Sequence, residues 1–299
     1  MDQDRQGRIG VWLAVAAFAW WGLVPIYFKA VSGVGALEVL AHRVLWSVPV
    51  AGLLVSLDRG WPRLFADLAN RKVLATLALT AVIVAGNWLL FIHCVDTGQV
   101  LQSSLGYFIC PLLNVLMGMV FLGERPSRLQ LAAVGLAALG TLNLVLEHGA
   151  VPWLSLGLAL SFSTYGLMRK RVAIESLGGL FAETLLLAPL ALIWLAWSGF
   201  AGRLAFGREG WGTSLLLASA GLVTALPLVW FTAGARRIPF YVLGLLQYIG
   251  PSLQFLLAVL VYDEPLTRAK LVTFALVWSG IALFILAGLP AWAPWRRQP

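Results

Sequence analysis

The fold is decided by residues 105–124, LGYFICPLLNVLMGMVFLGE, because this stretch occurs twice in the chain. Shifted by 140 residues, it falls on residues 245–264, LLQYIGPSLQFLLAVLVYDE. The copies share a proline, an amide and a terminal acid, namely Pro111 with Pro251, Asn114 with Gln254, and Glu124 with Glu264. Each copy is about as long as the roughly 20 apolar residues that carry a helix across a bilayer. Insertion requires neither a proline nor an amide, so their recurrence predicts a duplicated functional element.

The same offset extends over the rest of the chain. It also pairs Pro49 with Pro189, Phe91 with Phe231, and Gly140 with Gly280. The first and sixth spans need a shift of 144 residues, which pairs Gly22 with Gly166. We therefore predict two repeats, residues 1–148 and residues 149–299.

The composition indicates that lipid is the solvent of this chain. Of its 299 residues, 60% are hydrophobic and 11% are charged, whereas about one-quarter of an average soluble domain is charged. Ten segments are long and apolar enough to cross a bilayer as helices. They lie near residues 9–28, 37–57, 73–94, 99–121, 128–147, 150–168, 177–198, 212–233, 240–261 and 268–288.

Five spans per repeat is an odd number, so the second repeat enters the membrane from the opposite side. The fold class is therefore predicted as all-α integral membrane, with ten transmembrane helices in two inverted five-helix repeats. Inverted repeats are typical of secondary transporters, whose substrate site lies near the midplane between the halves. A duplicated scaffold without a transport role is the structural alternative.

The basic residues orient the chain. With the N-terminus inside, 15 of the 21 Lys and Arg residues fall in inner connections and 5 in outer ones, while Arg43 lies within a span. The positive-inside rule then predicts an N-in, C-in topology. The net charge of +8 does not indicate a nucleic-acid partner, because the basic residues form short clusters between apolar segments. Two cysteines in apolar segments and three histidines without paired spacing predict no disulfide framework, no metal site and no cofactor.

Several segments in order resemble one family of carriers. They are WWGLVPIYFKAV (20–31), EVLAHRVLWS (38–47), GNWLLFIHCVDTGQVLQSSLGYFICPL (86–112) and QYIGPSLQFLLAV (247–259). Together with the five-plus-five spans, they resemble the RarD branch of the EamA-type transporters in the drug/metabolite transporter superfamily. The resemblance implies a multi-pass carrier of the bacterial inner membrane with a central cavity, but no particular substrate. Cys110 departs from the pattern, since many relatives carry a polar residue such as Asn there.

Charges within spans are candidates for function, because each costs about 2.5–3.5 kcal/mol at mid-membrane on insertion scales. Arg43 lies in the second span, and its repeat mate is Glu183 in the seventh. They are predicted to bind substrate or a coupling ion; the alternative is that each has a local partner that fixes packing. Glu38 is a candidate partner of Arg43, although a separation of five residues is off the best helical spacing. A direct Arg43–Glu183 bond is not expected, since the inverted repeats place them at different depths.

Aromatic and amide side chains recur in the third, fourth, eighth and ninth spans. Such groups are typical of small-molecule cavities, although an interfacial tryptophan belt is the alternative for Trp88 and Trp230. The complete set of predicted substrate-binding residues is Arg43, Asn87, Trp88, Tyr107, Asn114, Glu183, Trp230, Gln247, Tyr248 and Gln254.

Breakers within the spans are predicted hinges, since glycine and proline permit close approach and bending. They are Gly22, Pro25, Pro111 and Pro251. Glu124 and Glu264 end the duplicated helices at opposite faces, either as solvated caps of tight turns or as gate contacts, and the sequence leaves both open.

The predicted function is secondary transport of a small metabolite or drug-like molecule by alternating access. The expected substrate is amphipathic or zwitterionic, with membrane lipid as the surrounding partner and a proton or an exchanged solute as a coupling partner. A non-coupled channel or facilitator of the same fold is the alternative. An integral-membrane enzyme is disfavoured, because Glu38, His42 and Arg43 cluster without a nucleophile or metal spacing.

Overall fold

The computed structural model describes residues 2–97, 99–148, 152–262 and 267–288, and these residues form helices and connections without a strand. The helices are α1 (Asp2–Ala30), α2 (Ala36–Leu57), α3 (Trp61–Ala69), α4 (Arg71–Asp96), α5 (Val100–Leu122), α6 (Arg128–His148), α7 (Trp153–Arg171), α8 (Ser176–Phe200), α9 (Trp211–Ala235), α10 (Phe240–Leu246), α11 (Ile249–Leu260) and α12 (Arg268–Gly288). The predicted boundary between the repeats adjoins residues 149–151, which lie outside the described residues.

Nine segments of the described residues are long and apolar enough to cross a membrane, with α10 and α11 counted together as one of them. This confirms a helical integral membrane protein. The predicted sixth span is helical as α7 but does not belong to the nine, because it is rich in Ser and Thr and ends in Arg169, Lys170 and Arg171. A polar helix of this kind is tolerated where protein surrounds it, and α7 packs against α4 and α5.

Helix α1 runs between two opposite faces of the molecule. Near its start Gln6 accepts a hydrogen bond from Arg237 at 3.1 Å, and at its end the Lys29 ammonium lies 3.8 Å from the centre of the Tyr262 ring. At about 1.5 Å per residue its 29 residues span about 43 Å. We call the first face the basic face, defined by Arg63, Arg169, Arg171, Arg236 and Arg237. The opposite one is the far face, defined by Lys29, Glu38, Ala205, Phe206 and Tyr262.

Helices that the sequence offset relates to each other make corresponding contacts. Helix α1 packs on α9 and α11, and α7 packs on α4 and α5, which are the helices that the 140-residue offset relates to α9 and α11. Helix α2 packs against α8, and α6 against α12, so each of these spans meets its own repeat mate. Helix α5 packs along α10 but meets α11 at few points, so these helices lie close at the basic face and apart at the far face.

The ninth span is broken, whereas its repeat mate α5 is continuous. Helix α10 ends at Leu246 and α11 begins at Ile249, so the break falls at Gln247 and Tyr248. Pro251 explains the position, because a proline lacks the N–H that would bind the carbonyl four residues earlier, here that of Gln247. The single predicted helix near 240–261 is therefore two helices.

Candidate functional site

Arg43 lies on α2 in the middle of the helix bundle, partly exposed. Its Nε donates a hydrogen bond to Thr224 Oγ1 on α9 at 2.9 Å. The guanidinium carbon lies 5.0 Å from the centre of the Trp88 ring and 5.7 Å from that of Phe28. A guanidinium within about 6 Å of a ring centre is attracted by the ring face. Hence α1, α2, α4 and α9 all contribute to the surroundings of this charge.

Aromatic rings continue from Arg43 toward the far face. Phe91 lies 6.4 Å from Phe28 and 6.4 Å from Tyr107, measured between ring centres. Tyr107 is 41% exposed. The Tyr107 hydroxyl is also close enough to the Arg43 guanidinium to interact with its charge. We call these five residues, Phe28, Arg43, Trp88, Phe91 and Tyr107, the Arg43 cluster.

Asn114 and Gln247 meet where α5 crosses α10. The Asn114 amide nitrogen donates to Gln247 Oε1 at 2.6 Å, and both side chains are buried. The contact lies two turns of α5 from Tyr107, on the side of the basic face. These two predicted site residues therefore bind each other, and the contact joins the two predicted repeats.

Gln254 and Tyr248 occupy different surroundings. Gln254 donates its amide N–H to the backbone carbonyl of Trp21 at 3.2 Å. That carbonyl lies four residues before Pro25 and so lacks its helical donor. Tyr248 is fully buried and donates to the Phe108 carbonyl at 3.2 Å. Its ring therefore faces α5 and α6 rather than the Arg43 cluster.

Asn87 points away from its neighbour Trp88. Its amide nitrogen donates to the Leu158 carbonyl at 2.9 Å and to Ser161 Oγ at 2.8 Å, both on α7. A groove of about 410 Å³ between α4 and α7 runs past this side chain. Asn87 therefore joins two helices, which is the usual role of an asparagine in a membrane helix.

Glu183 is held by local partners. Thr80 donates to one of its oxygens at 2.6 Å and Tyr165 to the other at 3.2 Å. The Arg169 Nε lies 3.5 Å from the carboxylate, and both charged side chains are at most 2% exposed. The structure thus places Glu183 in a buried ion pair near the basic face, apart from the Arg43 cluster.

Trp230 and Gly22 lie at contacts between α1 and its neighbours, whereas Pro111 and Pro251 lie in the duplicated helices. Trp230 packs edge-on against Trp20, with ring centres 5.8 Å apart. Gly22 lies against α11, where an added Cβ would come within 2.7 Å of Leu253 Cβ. Pro111 lies buried inside α5, and Pro251 follows the break between α10 and α11.

Glu124 is a cap, but not the solvated cap of its own turn that one alternative expected. Its side chain is 8% exposed, and its two oxygens accept the N–H groups of Phe240 at 2.6 Å and Tyr241 at 2.9 Å. It therefore caps the first turn of α10, in the other predicted repeat. Its mate Glu264 lies outside the described residues.

Glu38 does not pair with Arg43. Its carboxylate accepts the N–H groups of Ala205, at 2.9 and 3.0 Å, and of Phe206, at 2.9 Å. It thereby anchors the connection between α8 and α9 at the far face.

The sequence reasoning missed Phe28, Phe91 and Thr224 as site residues. A signal for Thr224 exists in the repeat: Arg43 on α2 binds a threonine of α9, and its mate Glu183 on α8 binds Thr80 of α4. The offset relates α2 to α8 and α4 to α9. It aligns Thr80 with Ala220, which lies one helical turn before Thr224. No such signal singles out Phe28 among the chain's 15 phenylalanines.

Comparison with known proteins gives one consistent result. The model of the EamA-like transporter family matches residues 8–146. Protein RarD of Salmonella typhi is 46% identical over 282 residues, covering 94% of this chain and 96% of the relative. An uncharacterized transporter of Vibrio cholerae is 45% identical over 298 residues, covering 99% of both chains.

A further relative and one solved structure extend the comparison. The chloramphenicol-sensitive protein RarD of Pseudomonas aeruginosa is 39% identical over 278 residues, covering 92% of both chains. One protein crystal structure matches with a TM-score of 0.70 at 19% identity, covering 93% of this chain and 97% of that one. At that identity the match shows the fold alone.

Proposed function

The chain belongs to the RarD branch of the EamA-like transporters, and from that premise we propose that it carries a small molecule across the membrane by alternating access. The family makes it a multi-pass transporter of the bacterial inner membrane and not an enzyme. The proposal adds the mechanism: two inverted repeats rock about a central site, which opens to one face at a time.

One observation carries the proposal. The 140-residue offset aligns Asn114 with Gln254 and Tyr107 with Gln247. The contact between Asn114 and Gln247 therefore corresponds to a contact between Gln254 and Tyr107. The first of these related contacts is closed, since Asn114 donates to Gln247 at 2.6 Å. The second is open, since Gln254 binds Trp21 instead and Tyr107 is 41% exposed. Two related contacts in opposite states are what a carrier caught in one of its two conformations would present.

Further contacts close the same side. Besides the Glu124 cap on α10, Arg171 donates to the Phe121 carbonyl, which ties α7 to α5. The Lys170 ammonium donates to the carbonyl of Ala235 at 2.6 Å and to that of Ile238, which ties α7 to the end of α9. These hydrogen bonds support a conformation that is sealed at the basic face and open at the far face.

The mechanism then follows from the geometry. In the opposite conformation, α5 and α11 approach at the far face, and Tyr107 comes within reach of Gln254. At the basic face Asn114 separates from Gln247. Pro111 and Pro251 help the duplicated helices to bend during this exchange, because each removes one backbone hydrogen bond.

Cysteine cross-linking tests the proposal without a known substrate. In a background with Cys94 and Cys110 replaced, we expect Asn114→Cys/Gln247→Cys to cross-link in the conformation described here. We expect Tyr107→Cys/Gln254→Cys to cross-link only in the opposite one. The Asn114→Cys/Gln247→Cys link should let a membrane-impermeant maleimide reach Phe91→Cys, at a partly exposed position, from the far face, and the Tyr107→Cys/Gln254→Cys link should block that route. A protein in which both pairs cross-link at once, with Phe91→Cys labelled from both faces, would contradict alternating access and favour the channel.

Transport itself separates carrier from channel once a binder is found. A thermal-shift screen of the purified protein finds binders, since a ligand stabilises the folded state by mass action. Saturable counterflow of such a binder in proteoliposomes is the expected result. Flux that rises linearly with concentration over the working range would reject the carrier.

A further inference from the structure

The charged side chains within the described spans are matched by partners, with the partly exposed Arg43 as the exception. Glu183 pairs with Arg169, and Glu124 and Glu38 accept backbone N–H groups. Arg43, by contrast, has no carboxylate of the described residues within 4.0 Å. The one hydrogen bond of its side chain to the described residues goes to the neutral hydroxyl of Thr224.

The unmatched charge is persistent, because a guanidinium does not deprotonate in proteins. The rings of Trp88 and Phe28 stabilise it only in part, since a cation–π contact contributes about 0.5–2 kcal/mol. Arg43 has five N–H donors, of which Thr224 uses the one on Nε. Its terminal nitrogens make no hydrogen bond to the described residues, and the side chain is partly exposed. They are therefore free to bind a ligand that enters from the far face.

The shape and charge of the site specify that ligand. A guanidinium presents a planar fork that matches the two oxygens of a carboxylate. The fork lies among the aromatic rings of the Arg43 cluster, which suit an apolar or aromatic body. A single cation matches a single negative charge. No carboxylate of the described residues in the cluster is available for an ammonium group, which disfavours the zwitterion that the sequence left as one expectation.

Resting on the proposed function, we propose that the substrate is a small organic monocarboxylate. Arg43 binds its carboxylate, and Phe28, Trp88, Phe91 and Tyr107 surround its apolar body. The ligand thereby supplies the counter-charge that the protein lacks.

Matched ligands test the proposal. A panel of monocarboxylates and their primary amides, such as 3-phenylpropanoate and 3-phenylpropanamide, is titrated into the full-length protein in lipid nanodiscs, with phenylalanine as the zwitterionic arm. We expect the best carboxylate to bind at least about tenfold more tightly than its amide, since hydrogen bonds to a charged group exceed neutral ones by that margin. Arg43→Gln should abolish the preference, whereas Phe91→Leu should weaken both ligands and leave their ratio. An amide, or the zwitterion phenylalanine, that binds as tightly as the best carboxylate would overturn the proposal.

The stability of the ligand-free protein provides a second measurement that needs no binder. If Arg43 serves to bind a ligand and not to hold the fold, the melting temperature of Arg43→Gln should lie within about 2 °C of that of the unsubstituted protein. Arg169→Gln should lower it by more than about 5 °C, because it leaves Glu183 as an unpaired buried charge. Equal losses in the two variants would assign Arg43 a structural role and end the proposal. Neither measurement affects the cross-linking experiment, so the carrier mechanism and the anion can fail separately.

Discussion

At the residue scale, Glu124 shows how one carboxylate holds the two halves of the chain together. Both of its oxygens accept buried N–H groups of α10, from Phe240 and Tyr241. We expect Glu124→Ala to destabilise the protein by about 1–3 kcal/mol, because it leaves buried donors without acceptors. A thermal melt of the purified protein measures the loss.

Glu147 offers the matched control for this substitution, since it also lies near the end of a helix but is exposed. Glu147→Ala should leave the melting temperature nearly unchanged. Equal melting temperatures for the two variants would mean that the α10 cap contributes nothing to stability.

The same scale shows which site residues the sequence can predict. Arg43 stands out because a charge inside a span needs a reason, and the structure places it among aromatic rings. Asn87 and Tyr248 are predicted site residues as well, yet Asn87 faces α7 and Tyr248 faces α5 and α6. The cause is physical: a helix that is apolar all round carries no amphipathic stripe to fix its rotation. Residue type alone therefore cannot say which way a span turns its polar groups.

At the scale of elements, the contact between α6 and α12 depends on two glycines that are repeat mates. A Cβ added to Gly140 would lie 2.9 Å from the Thr273 carbonyl oxygen, and one added to Gly280 would lie 2.7 Å from that of Ala133. Both neighbours are backbone atoms, which cannot rotate away. Gly140→Ala and Gly280→Ala should therefore lower the melting temperature, because each forces the helices apart.

Gly135 on the same helix α6 is the control. Nothing lies within 4 Å of a Cβ added there, so Gly135→Ala should be neutral or stabilising by up to about 1 kcal/mol, the helix propensity gained over glycine. If all three alanine variants melt alike, close packing at the α6–α12 contact is not what the glycines provide.

Elements also divide into those that the sequence predicts and those that it does not. Long apolar runs gave most of the spans within a few residues of their observed ends, as for α5 and α12. The short helix α3 was missed, because its nine residues lie in a charged connection too short to cross a membrane. The break between α10 and α11 was missed as well, since Pro111 in α5 permits a continuous helix while Pro251 does not. A proline at matching positions thus leaves one span continuous and the other broken, and tertiary packing decides which of the two occurs.

At the scale of the whole molecule, the basic face is also the face that we propose to be sealed. Arginines and lysines there do more than orient the chain, because Arg171 and Lys170 donate to carbonyls at the ends of α5 and α9. Those carbonyls lack helical donors. Arg236 donates to the carbonyl of Ile174 in the connection between α7 and α8. If this face is cytoplasmic, as the positive-inside rule predicts, the conformation described here is outward-open. Whether this conformation opens outward or inward therefore depends on which face is cytoplasmic.

Orientation is tested by labelling single cysteines in a background that lacks the native pair, Cys94 and Cys110. Asn70→Cys and Arg236→Cys lie exposed at the basic face, and Arg208→Cys lies exposed in the connection between α8 and α9. In intact cells a membrane-impermeant maleimide should reach Arg208→Cys only, and after permeabilisation it should reach all three. Labelling of Asn70→Cys and Arg236→Cys in intact cells, with Arg208→Cys protected, would invert the topology. The same cavity would then open to the cytoplasm.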